Sequence, residues 1–123
     1  MTDRTRLDPD FPDGAKELRR IRFKKNNGIV LNQVNRLRNE QVSLADVRDL
    51  VTQILIRNLM SEQQLIDSLN YLWMKGFIVI RRIRDGAEVD FSKVDDLNIL
   101  EAKVTDKGVD FLNGDIECAG ITL

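Results

Sequence analysis

The stretch that most constrains this chain is residues 61–83, SEQQLIDSLNYLWMKGFIVIRRI, where a helix start, a helix stop and a strand follow one another without a gap. Ser61 can accept from first-turn backbone N–H groups, Gln64 can reach back to complete a capping box, and Met60 and Leu65 sit at staple positions. Leu65, Ile66, Leu69, Leu72 and Trp73 recur at i, i+1, i+4, i+7 and i+8, which puts them on one helical face. Gly76 is placed to be the residue just past the helix end, with Lys75 at the negative pole. Phe77, Ile78, Val79 and Ile80 form a β-branched and aromatic run too short for a helix. The spacing therefore predicts a helix that hands over directly to a buried strand.

A second helix is predicted just upstream, over 44–58. Val47, Leu50, Val51, Ile54 and Leu55 make the same stripe, Ser43 stands as N-cap, and Asp46 suits the positive end. Residues 58–60 leave only a short turn before Ser61, so the pair reads as a helix-turn-helix, without the usual turn glycine. Downstream, Asp85-Gly86 is a turn signal, AEVDFSKVDDLN is too long for a tight hairpin tip and has room for a helical turn at 92–97, and ILEAKV at 99–104 supplies a returning strand. Thr105 caps a last helix in TDKGVDFLNG, with Val109 and Leu112 as its buried pair and Gly114 as its stop. The tail DIECAGITL reads as extended. The expected fold is α+β, mainly α: a winged helix-turn-helix with a two-stranded wing at about 77–104 and extra terminal helices.

The front of the chain is less regular. Residues 1–14 hold both prolines, Pro9 and Pro12, with several aspartates, and read as a flexible arm. AKELRRIRFKK at 15–25 predicts a short helix with Leu18 and Ile21 as its apolar pair, ended by Asn26, Asn27 and Gly28. A further helix over 29–39 offers Val30, Val34 and Leu37 at helical spacing, Leu31 beside them, and Arg36 and Arg38 on its exposed side. The organisation is then an arm at 1–14, one winged-helix domain at 15–114, and a C-terminal tail at 115–123. A chain of 123 residues can bury one core without disulfides or metal.

Composition narrows the function classes. No run approaches the roughly 18 apolar residues of a membrane span, and the polar N-terminus is not a signal peptide, so a cytoplasmic protein without membrane contact is expected. One cysteine and no histidine leave no internal disulfide and no soft ligand set, so neither metal nor other cofactor is expected. The commonest general base is absent, and no nucleophile motif or phosphate loop stands in its place. The chain reads as a non-enzyme with no catalytic residue; Asp95 and Asp96 read as a solvated loop.

The net charge of −1 hides an uneven pattern: residues 1–42 carry ten Lys or Arg against six Asp or Glu, and the rest is balanced or acidic. A helix-turn-helix reads DNA with the side of its second helix opposite the core, which here holds Gln63, Gln64, Asp67, Asn70, Tyr71 and Met74. Glutamine and asparagine can pair with adenine, and Tyr71 can reach phosphate. Asp67 and Glu62, with Lys75 the lone cation, oppose entry into a polyanion, so a merely solvated face is the competing reading. Arg81, Arg82 and Arg84 can grip phosphate from the wing, or pair with Asp85, Glu88, Asp90, Asp95 and Asp96 in the same hairpin. Arg19, Arg20, Arg22, Lys24 and Lys25, with Lys16, form a dense basic run with few local acids.

Two functions remain open. The first is a DNA-binding homodimer that acts on double-stranded DNA as a transcriptional regulator. The second is a protein–protein adaptor that binds no DNA, for which Ile56, Tyr71, Met74 and Phe91 would supply exposed apolar surface.

Over 51–120, the runs MSEQQLIDSLNYLWMKGFIVI and VTDKGVDFLNGDIECAG give the chain a resemblance to the small winged-helix proteins of Mu-like phages and prophages, which resemble arsenical-resistance-type repressors. That family has a strand, a Thr-capped helix with KG or RG in its first turn, and a G…I…PG-like tail; here Ala119 stands at the expected tail proline, and the long wing and basic front helix are additions. The resemblance implies a phage-associated, regulator-like module with no catalytic residue to carry over.

Overall fold

The structure, a computed structural model, describes residues 12–37, 45–93 and 96–123. Most of the expected arm, the Ser43 cap, Arg38 and Asp95 lie outside these residues. The described chain is mainly helical α+β, in the order α1 (Pro12–Leu37), β1 (Ala45–Asp46), α2 (Val47–Ile56), α3 (Glu62–Met74), β2 (Ile78–Arg82), β3 (Leu100–Val104) and α4 (Asp106–Leu112). Two single 3-10 turns, Phe91–Lys93 and Leu97–Ile99, lie in the long loop between β2 and β3.

The strands form one antiparallel sheet in the order β1–β3–β2, with Ala45 opposite Ala102 and Ile78 opposite Val104. Alternation sends Ile78, Ile80, Leu100 and Ala102 inward, while Val79, Arg81, Glu101 and Lys103 stay half-buried on the other face. The expected two-stranded pairing of β2 with β3 is present, and β1 adds a third strand at the β3 edge. Residues 45–46 pair with β3 instead of opening α2, because a two-residue strand whose hydrogen-bond partners lie more than fifty positions away leaves no periodic trace.

A larger correction concerns the front of the chain. The two expected helices are one, α1, which runs unbroken through Asn26-Asn27-Gly28 and starts at Pro12, where a missing N–H costs nothing. The triplet is a docking place for the C-terminal tail. Asn27 Nδ2 donates to Gly120 O at 2.9 Å, Thr122 N donates to Lys24 O at 3.0 Å, and Gly28 leaves room for the Thr122 carbonyl. Asn26, Asn27 and Gly28 are all buried, and the core side of α1 continues with Val30, Leu31 and Val34. Residues 14–22, in contrast, are almost wholly exposed and stand beyond the core.

Both helices of the central pair end the same way. Asn58 N donates to Leu55 O and Leu59 N to Ile54 O, closing α2 in a Schellman motif with Asn58 at φ 54°. Asparagine tolerates the left-handed region through its short polar side chain, so Asn58 does the work of the missing turn glycine. Gly76, at φ 80°, closes α3 in the same pattern. At the other end of α3 the capping box is complete: Ser61 Oγ accepts from Gln64 N at 3.1 Å and Gln64 Oε1 accepts from Ser61 N at 2.9 Å. Thr105 caps α4 by accepting from Gly108 N, and its hydroxyl donates to Gly76 O at 2.6 Å. Gly108 and Phe111 are the buried residues of α4, with Val109 and Leu112 half-buried at the edge.

The loop after β2 does not project as a long hairpin. It turns at Asp85-Gly86 and runs back along β2, where Arg82 N donates to Ala87 O and Val89 N to Ile80 O. It then lays its two 3-10 turns against α3 and α2. Phe91, expected on the surface, is buried there; enclosing an aromatic ring is worth about 1.5–3 kcal/mol, enough to hold a loop down.

Candidate nucleic-acid interface

The stripe on α3 buries Leu65, Ser68, Leu69 and Leu72, which turns Gln63, Asp67, Asn70 and Met74 outward as a ridge. Gln63 Nε2 donates to Asp67 Oδ1 at 2.9 Å and Asn70 Nδ2 approaches Met74 Sδ at 3.4 Å. These are exposed contacts, so the amides are organised along the ridge and free to exchange partners. Gln64 differs: its Oε1 is committed to the capping box, and the residue borders a hollow against α1.

Tyr71, expected to reach phosphate, is engaged with two other parts of the chain. Its ring meets Phe23 of α1 edge-on at 5.3 Å, and its hydroxyl lies 3.5 Å from Cys118 Sγ in the tail. Gly120 lies so close that any Cβ there would overlap the hydroxyl. Burial, and then the Cys118 contact, push the Tyr71 pKa up to about 12. Tyr71 is a joint between α1, α3 and the tail, and its hydroxyl is in contact with Cys118.

The basic run on α1 comes to lie beside this ridge. Arg19, Arg22, Phe23 and Asn26 share a hollow of about 190 Å³ with Gln64 and Asp67. Arg22 and Lys25 border a second hollow with Leu18, Ile21, Leu59 and Gln64. Arg20 points elsewhere and pairs with Glu17 at 2.6 Å, and Lys24 is half-buried under the tail. Sequence spacing alone gave no sign that residues 19–22 and 64–67 are neighbours.

The arginines at the end of β2 and just beyond it do not gather into one cluster. Arg82 pairs with Asp85 through Nη2 at 2.9 Å and Nε at 3.3 Å. The Ala87 backbone N–H, and then the Arg82 guanidinium, hold the Asp85 carboxyl below its ordinary range. Arg81 stands opposite Glu101 in β3 and Glu88 in the returning loop, with its Nε buried. Arg84 is exposed beside the turn. Of the three, Arg82 is thus paired with a local acid, one of the outcomes the composition of the hairpin left open.

On the far side of α3 lies a feature with no sequence signature. A cleft of about 590 Å³ opens between the ridge and the folded loop, with Val51, Ile66, Phe91 and Leu97 as apolar walls and Glu62, Asp67 and Asp96 as acids. Asp67 borders both this cleft and the Arg19–Arg22 hollow, so α3 separates a basic flank from an acidic one.

Compared with known proteins, the chain matches no family model, no curated protein and no solved structure. Among the described residues no helix is long and apolar enough to cross a membrane.

Proposed function

We propose that the protein is a non-enzymatic winged-helix module that binds double-stranded DNA with α3 and the first half of α1. The element order α1–β1–α2–α3–β2–loop–β3 and the sheet order β1–β3–β2 support the winged-helix reading, with α2 and α3 as the helix-turn-helix. The observation that carries the DNA reading is the position of Arg19 and Arg22 beside the exposed ridge of α3. The ridge supplies amide groups for base edges but little positive charge; arginines on the adjacent helix supply the phosphate contact that dominates affinity. A regulator of the phage or prophage kind is the biological role that agrees with this reading and with the family resemblance of residues 51–120.

Fluorescence anisotropy with a random duplex at low salt tests the proposal. Binding is expected, and Arg19→Ala with Arg22→Ala should lower the salt slope by about two, one for each lost phosphate contact. Absence of binding at tens of micromolar protein overturns it, since non-specific binders reach that range. The acidic cleft favours a second reading, an adaptor for a basic protein segment, which gains if duplex DNA is refused.

A further inference from the structure

We infer that the α3 ridge is also a self-recognition surface, across which two copies of this chain pair with the basic flank of each facing the acidic flank of the other. The flanks of α3 carry opposite charge: Arg19 and Arg22 on one side, Glu62 and Asp96 on the other, with Asp67 between them. A two-fold axis running along such a ridge exchanges its sides, so basic meets acidic twice in one closed contact. That self-complementarity is what an isologous interface requires, and a second copy satisfies it without any other partner.

The apolar surface follows the same plan. Leu18 stands 69% exposed on the protruding part of α1, and Met74 is 69% exposed at the end of the ridge. The cleft presents Val51, Ile66, Phe91 and Leu97 between its acids. A basic helix with exposed leucine facing an acid-rimmed apolar cleft follows the helix-in-groove mode of recognition. The inference goes beyond DNA binding and competes with it, because pairing covers Gln63, Arg19 and Arg22; its test therefore contains no DNA.

Sedimentation velocity of the full chain at low salt should show a dimer that dissociates as salt is raised, since the contact is charge-driven. Arg19→Glu with Arg22→Glu, and separately Glu62→Lys with Asp96→Asn, should each weaken the dimer at least tenfold, within the range measured for close interfacial charge pairs. Asparagine at 96 keeps the cap that now accepts from Asn98 N. An equimolar mixture of the two variants should recover dimer relative to either alone, because one of its junctions is the unaltered pairing of Arg19 and Arg22 with Glu62 and Asp96 and the other sets the introduced acids against the introduced lysine. Circular dichroism checks folding, and if either reversal prevents it, Arg19→Gln with Arg22→Gln and Glu62→Gln weaken the same contact. A monomeric wild type, a dimer indifferent to both sets, or a mixture that stays monomeric overturns the inference.

Discussion

Asn27 Nδ2 donates to the Gly120 carbonyl oxygen at 2.9 Å, joining the middle of α1 to a tail residue 93 positions away. Thr122 completes the seat by donating its N–H to Lys24 O, and Ile121 is buried between these two contacts. Gly28 is the test of how tightly the tail is held. Alanine is a better helix former than glycine by about 1 kcal/mol, so helix propensity alone makes Gly28→Ala stabilising. A Cβ there would run into Thr122 O, a backbone atom, so the tail has to shift. The clash should win, with a net loss of about 1–3 kcal/mol in urea denaturation, typical for overpacking. An unchanged or higher midpoint would mean that the tail is not seated on α1.

Tyr71 makes the same joint readable by pH. As the only tyrosine in the chain, it can be followed alone by its tyrosinate absorbance. Its folded pKa of about 12 lies above the ordinary 10.0, so the folded state holds the proton more firmly than the unfolded chain does. The corresponding stability is present in full below pH 10 and is lost as the pH rises through 12. Tyr71→Phe should flatten that alkaline loss, and Cys118→Ala should move the tyrosine titration back toward 10, since Cys118 is a cause of the shift after burial. A midpoint near 10 in the wild type would show that the tail leaves Tyr71 open to water.

The α2–α3 turn gives a prediction of sign order. Asn58 sits at φ 54°, a region that costs an ordinary L-residue about 1–2 kcal/mol. Asn58→Ala should destabilise by about 1 kcal/mol, while Asn58→Gly should stay within about half of that, because glycine adopts the region freely but has more freedom to lose on folding. Thermal melts should rank glycine and asparagine together above alanine. Equal melting of all three would place no strain at this turn.

These positions also show what was legible in the sequence. The capping box at Ser61, the stripe through Leu65, Leu69 and Leu72, the Gly76 stop and the β2 strand were readable because each depends on residues within a few positions of one another. Features missed or misplaced depend on distant partners. Asn26-Asn27-Gly28 breaks a helix in isolation and continues one here because the tail fills its notch. β1 exists because β3 offers an edge, and Phe91 is inside because its loop folds back onto α3. The candidate site followed the same rule: its residue types were legible, but the adjacency of Arg19 and Arg22 to Gln64, and the acid cleft opposite, are products of packing.

The arginines at the end of β2 offer the sharpest separation of residue type from residue availability. Arg82 is held by Asp85, whose carboxylate also accepts from Ala87 N at 3.0 Å. Because the folded Asp85 pKa is lowered, its contribution to the turn is present above the unfolded value of 3.8 and is lost as the pH falls through the folded one. The Ala87 amide should therefore exchange faster in acid than its neighbours in β2, as read by hydrogen-exchange NMR. At neutral pH, under the proposed DNA-binding function, Arg82→Ala should change duplex affinity less than twofold, since its charge is already compensated, as exposed ion pairs leave little net energy to lose. Asp85→Asn keeps an acceptor for Ala87 while releasing Arg82, and should steepen the salt slope by up to about one. If Arg82→Ala instead weakens binding as much as the Arg19–Arg22 pair does, phosphate contact lies on the β2 loop and not on α1.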